Sequence, residues 1–113
     1  MSKTAFVFPG QGSQSVGMAK SFHDSFDAAK KTFDEAGEVM GLDMAKLVFE
    51  GPEELLNRTE YTQPALLTAS IATLRVLYEK TGFRPAFLAG HSLGEYTALV
   101  AAGALDFREA VRL

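Results

Sequence analysis

Two short apolar runs and a series of amphipathic stretches divide the chain. Thr4-Ala5-Phe6-Val7-Phe8 is rich in β-formers and halts at Pro9-Gly10, which predicts a buried strand. Pro85-Ala86-Phe87-Leu88-Ala89 has the same character and predicts a second strand. From Met18 onwards the pattern is helical. Phe22, Phe26, Ala29 and Phe33 recur at helical intervals and share one face, while Asp24, Asp27, Lys30, Lys31 and Asp34 suit a solvated one. Asp24 or Ser25 is a candidate cap for a break in this stretch, and Gly37 or Gly41 a candidate stop.

Beyond it, Leu42 to Phe49 is ambiguous, with Asp43 ahead of Met44, Leu47 and Val48 favouring a short helical turn. Gly51-Pro52-Glu53-Glu54-Leu55-Leu56 reads as a turn into another short helix, with proline at its first position. Thr59 to Gln63 is polar and loop-like. Pro64 then opens the longest helix, which runs to about Lys80 and stops at Gly82 with Leu67, Ile71, Leu74 and Tyr78 as its apolar stripe. Glu95 to Ala102 forms a helix ending at Gly103, and Asp106-Phe107-Arg108-Glu109 resembles a capping box opening a last one. Strand, several helices, strand, helix is an α/β order whose neighbouring strands should be parallel. Two parallel strands need covering on both faces, so the chain reads as the opening part of a larger domain.

Composition narrows this little. The 113 residues suggest one domain or part of one, and 47% hydrophobic content suffices for a packed core. A net charge of −3 with scattered basic residues gives no case for nucleic-acid binding. The absence of cysteine excludes disulfides, thiolate metal sites and a cysteine nucleophile. No run is long enough to cross a membrane and no signal-peptide pattern is present, so a soluble cytoplasmic protein is expected.

The chemistry centres on Gly90-His91-Ser92-Leu93-Gly94, lying between the second strand and a helix. A Gly-x-Ser-x-Gly pentapeptide there is a nucleophile elbow. The sharp turn exposes the Ser92 hydroxyl, and the glycines remove side chains that would collide as strand and helix pack. The Leu93 amide points towards the same space and can help to hold an oxyanion. Ser92-Leu93-Gly94-Glu95 also fits a capping box, but capping needs neither glycine nor a strand upstream.

The second oxyanion donor of such sites comes from a loop after another strand. Gly10 to Gly17 is the obvious source, with the Gln11 amide as donor. A dinucleotide-binding loop fails at Ser15, a P-loop lacks its Gly-Lys-Ser/Thr, and a plain glycine-rich turn is the remaining alternative. The two histidines are poor bases. His91 adjoins the nucleophile and points away from it, and His23 fits a helix surface. For serine acyl transfer, the base must come from outside these residues.

Phe8-Pro9-Gly10-Gln11-Gly12-Ser13-Gln14, Tyr61-Thr62-Gln63-Pro64-Ala65 and Gly90-His91-Ser92-Leu93-Gly94-Glu95 resemble, in order and spacing, three N-terminal signatures of the malonyl-CoA:acyl carrier protein transacylase family of bacterial fatty acid synthesis. Acyltransferase domains of polyketide and animal-type fatty acid synthases share them. The resemblance covers essentially the whole chain, and it favours a stand-alone bacterial enzyme. It implies the N-terminal part of an α/β-hydrolase-like acyltransferase domain, residues 1–113, without the family's small ferredoxin-like subdomain.

The activity implied is ping-pong transfer of malonyl from malonyl-CoA to the phosphopantetheine thiol of acyl carrier protein. Ser92 would be the nucleophile, the Gln11 and Leu93 amides the oxyanion hole, and Gln63 and His91 substrate-pocket residues. A helix N-cap ahead of Pro64 is the alternative for Gln63. No metal or permanently bound cofactor is implied; a CoA thioester is substrate, and the full-length protein is expected to be a monomer. The family's catalytic histidine and carboxylate-binding arginine fall beyond residue 113, and Arg112 does not match that arginine. The 113 residues alone are therefore expected to be inactive or nearly so, and poorly folded. A serine esterase or thioesterase with the same elbow, or a non-catalytic CoA- or carrier-binding remnant, is the alternative.

Overall fold

The computed structural model describes residues 5–10, 12, 14–82, 87–90, 93–103 and 105–112, with Phe87 and Leu88 described by backbone alone. Two strands, β1 (Ala5–Phe8) and β2 (Phe87–Gly90), lie side by side in parallel. Their register sets Ala5 against Phe87 and Phe8 against Gly90. The expected parallel pairing is therefore present, and both strands end at the same edge.

Between them run α1 (Lys20–Ser25), α2 (Asp27–Met40), α3 (Met44–Glu50), α4 (Glu53–Leu56) and α5 (Thr59–Thr81). After β2 come α6 (Gly94–Ala101) and α7 (Phe107–Arg112). The expected break in the first helical stretch falls at Phe26, which takes an extended conformation (φ −134°, ψ 127°) with no side-chain cap from Asp24 or Ser25. Gly41 closes α2 at φ +70°, the left-handed conformation that glycine adopts most readily. Gly37 stays inside the helix, and the Leu42 carbonyl folds back to within 2.7 Å of where its Cβ would stand. Asp43 caps α3 by accepting from the Lys46 amide at 3.0 Å, so the ambiguous stretch is a helix. Pro52 is the N-cap of α4 rather than its first helical residue.

Helix α5 departs most from expectation. It begins at Thr59, five residues before Pro64, and takes in the stretch read as a loop. Arg58 is extended (φ −76°, ψ 131°), and its carbonyl accepts from the Tyr61 and Thr62 amides at 2.9 and 2.8 Å. The buried Thr62 hydroxyl donates to the Leu56 carbonyl of α4, fastening the first turn. Pro64 therefore lies inside the helix, where it forgoes the N–H bond to the Glu60 carbonyl and its ring crowds that carbonyl. Gln63 is accordingly a residue of the helix and not its N-cap.

The core lies around α5. Leu67, Ile71 and Leu74 are buried as the stripe predicts, but so are Ala65, Leu66, Ala69, Ala72 and Val76. A helix apolar on most sides belongs inside. Helix α2 brings Ala29, Phe33 and Ala36 against it, and α7 adds Phe107, Ala110 and Val111. Arg75 ties the three together: it donates to Thr32 Oγ1 at 3.0 Å, pairs with Glu35 at 3.3 Å and covers the Phe107 ring at 4.9 Å. His23 is less exposed than a helix surface suggests. Its ring sits edge-on to Phe49 and Phe33, 4.9 and 5.5 Å between centroids. Val7 of β1 is 73% exposed, and an apolar groove of about 530 Å³ is lined by β1, by Met18 and Phe22, and by Leu74 of α5.

Candidate active site

The Gly-x-Ser-x-Gly segment joins β2 to α6, the expected setting of an elbow. Its two glycines are fixed by contact. A Cβ on Gly90 would stand 1.9 Å from the Gly94 carbonyl, and a Cβ on Gly94 would stand 2.2 Å from the Phe8 carbonyl oxygen. Both collisions are with backbone, which cannot turn aside as a flexible side chain can. The first helix turn is thus pressed onto the end of β2 and across the end of β1, and no residue but glycine fits at either place.

Parallel pairing does the rest. Because Phe8 and Gly90 are partners, the glycine-rich loop after β1 and the elbow after β2 leave the sheet next to each other. Ligands of α/β sheets bind at this carboxyl edge of the strands. Leu93, an expected oxyanion donor, is the N-cap residue of α6 and is buried. Its carbonyl accepts from the Tyr96 and Thr97 amides at 2.9 and 3.4 Å, which leaves its own N–H at the open start of the helix. Ser92, His91 and Gln11 lie outside the described residues, and the capping-box alternative lies there with Ser92. Both neighbours of Gln11 are described: Gly10 is buried and Gly12 takes φ +109°.

Leu93 and Gln63 line one cavity of about 330 Å³. Its wall is built from the first turns of α5 (Thr59, Glu60, Gln63, Pro64, Leu67), the start of α6 (Leu93, Tyr96) and the end of α7 (Ala110, Val111, Arg112), with Met40 of α2. Arg112 lines this cavity although the sequence motif sets it aside, and it pairs with Glu109 at 3.4 Å. Among the described residues no cluster of three or more His, Cys, Asp or Glu is arranged to hold a metal. None of the described helices is long and apolar enough to cross a membrane.

The Gly-x-Ser-x-Gly segment thus leaves β2 beside the glycine-rich loop that follows β1, and its Leu93 lines a cavity with Gln63. The family model described as the acyl transferase domain matches residues 5–113. The chain belongs to the acyl transferase domain family. Among its relatives, the malonyl CoA-acyl carrier protein transacylase of Escherichia coli K12 is 55% identical over all 113 residues, which make up 37% of that protein. The Bacillus subtilis protein of the same name is 53% identical over the whole chain and 28% of its own length. The crystal structure of an acyl carrier protein S-malonyltransferase from Vibrio cholerae superposes with a TM-score of 0.93 at 55% identity, over 98% of this chain and 36% of the other. A malonyl-transacylase solved in complex with a type II PKS acyl-carrier protein gives a TM-score of 0.94, also at 55% identity, over 98% of this chain and 36% of that one. The chain therefore spans about a third of the length of the relatives it matches. The expected fold is that of this family, α/β with parallel strands.

Two features of this region carry no local sequence signal. The contribution of α7 to the cavity depends on how that helix folds back against α2 and α5. The attachment of the glycine-rich loop depends on Asn57, which lies 43 residues from its partner Gln14.

Proposed function

We propose that this chain is the N-terminal part of a malonyl-CoA:acyl carrier protein transacylase. Ser92 Oγ attacks the thioester carbonyl of malonyl-CoA while the Gln11 and Leu93 amides hold the oxyanion. A carbon–oxygen bond forms, the serine proton passes to a base beyond residue 113, and the carbon–sulfur bond breaks to release CoA. The phosphopantetheine thiol of acyl carrier protein then reverses these steps, taking the malonyl group and freeing Ser92. Gln63 and His91 line the acyl pocket, and the reaction needs no metal or resident cofactor. Residues 1–113 form part of an α/β-hydrolase-like subdomain, with a ferredoxin-like subdomain lying later in the chain. The enzyme works as a cytoplasmic monomer without nucleic-acid or membrane partners.

The observation that supports this reading is the parallel pairing of Phe8 with Gly90, which sets the ends of β1 and β2, just ahead of Gln11 and Ser92 in the sequence, side by side. The names of relatives above 50% identity supply the substrate class. The test uses residues 1–113 within a chain of the relatives' full length. Mixing it with malonyl-CoA should release one equivalent of CoA in a burst, and adding acyl carrier protein should make turnover continuous. Continuous CoA release without the carrier protein would instead identify a thioesterase. Residues 1–113 alone should give no burst, and a burst from them would show that the missing base is not required.

A further inference from the structure

We infer that Gln14 and Asn57 form a clamp that positions the oxyanion loop, an inference that rests on the transacylase reading. The loop between β1 and α1 is anchored at both ends. Gly10 is buried beside the end of β1, and at the far end the Gly17 amide donates to the Val48 carbonyl at 2.8 Å. Between these anchors the chain runs through Gly12, which takes φ +109° and has open space where a Cβ would stand. Gln11, the expected oxyanion donor, adjoins Gly12 in the sequence.

The Gln14 side chain restrains Gly12 through both ends of one amide. Its Oε1 accepts from the Gly12 N–H at 2.8 Å, and its Nε2 donates to Asn57 Oδ1 at 2.8 Å. The roles are complementary, since the acceptor end meets a donor and the donor end meets an acceptor. Asn57 is the C-cap of α4 and stands two residues before α5 begins. The clamp therefore joins the loop carrying Gln11 to the root of the helix whose first turns line the cavity with Gln63. Loop and pocket wall are set relative to each other by this pair. Gln14 and Asn57 act through the Gln11 amide and are positioning residues.

An oxyanion donor works in the transition state, so loosening it should lower kcat and leave KM for malonyl-CoA unchanged. Losing such a donor outright costs about 100- to 1,000-fold, and a donor retained but displaced should cost about tenfold. Gln14→Ala and Asn57→Ala, made in a chain of the relatives' full length, should each slow Ser92 acylation by about tenfold, and the double variant should be no slower than either. Asn57→Asp keeps an oxygen for Gln14 Nε2 and should restore most of the rate. Hydrogen exchange of the Gly12 amide should accelerate in both alanine variants, including Asn57→Ala, which does not touch Gly12 directly. Independent rate losses that multiply in the double variant, a change in KM alone, or Gly12 exchange indifferent to Asn57 would overturn the clamp. Failure of the unaltered chain to react with malonyl-CoA would overturn the transacylase reading instead, and Gly12 exchange would still decide whether the pair holds the loop.

Discussion

Replacing Gly94 by alanine tests the packing of the elbow most sharply. The added methyl would lie 2.2 Å from the Phe8 carbonyl oxygen and 2.9 Å from its carbon, while ordinary contact begins at 3.4 Å. Either α6 or the end of β1 must therefore move by about 1 Å, because close-packed backbone has no slack to absorb the clash. Overpacking of this kind costs about 3 kcal/mol when the neighbour cannot rotate away. The same shift displaces Leu93, the adjacent residue and an expected oxyanion donor, and a misplacement of about 1 Å can cost roughly 100-fold in rate. Gly82→Ala is the control. Gly82 has a conformation that disfavours side chains (φ +66°), but nothing lies within 4 Å of its missing Cβ. It should lose about 1 kcal/mol through backbone strain alone and keep its rate. Denaturant titration and the CoA-release burst, measured on both variants, separate the two effects. A Gly94→Ala chain as stable and as fast as the parent would refute the steric account of the elbow.

Two further predictions concern other parts of the fold. Thr97 of α6 is fully buried and its hydroxyl has no hydrogen-bond partner among the described residues, so Thr97→Val should be neutral or stabilising by about 1 kcal/mol in denaturant titration; a clear loss would show that the hydroxyl has a partner. The Asp24 carboxyl is held below its ordinary value of 3.8, first by the hydrogen bond from the Lys20 ammonium and then by that from His23. A carboxylate lowered in the folded state adds stability above its unfolded pKa, and that contribution is lost as pH falls through the folded value. Lys20→Met should move the Asp24 midpoint upwards in a carboxyl NMR titration and remove that part of the acid sensitivity; an unmoved midpoint would contradict the pairing.

What could be read in the sequence is what local sterics dictate. The strands, their parallel pairing and the elbow glycines follow from β-formers, helical connections and close approach, and each is present. The Asp43 cap is likewise a local bond, and the Asp106 side chain accepts from the Glu109 amide at 3.3 Å as its motif suggests. The start of α5 was not legible, because proline marks first turns by preference. Here the fastening comes from Thr62 reaching back to α4, a contact that spacing does not reveal. The burial of α5 was only half visible, since Ala65, Ala69 and Ala72 do not stand out in an apolar stripe yet are buried in the core. Leu93 and Gln63 line one cavity. The Gln14–Asn57 bond and the α7 wall depend on tertiary packing and leave no trace in local pattern.

Whether Ser92 carries the acyl group is decided by mass spectrometry of a full-length chain containing residues 1–113, taken after brief mixing with malonyl-CoA and followed by peptide mapping. One malonyl group should be found on the peptide containing Ser92, it should vanish when acyl carrier protein is added, and Ser92→Ala should carry none. No adduct, or an adduct that persists in Ser92→Ala, would contradict the account.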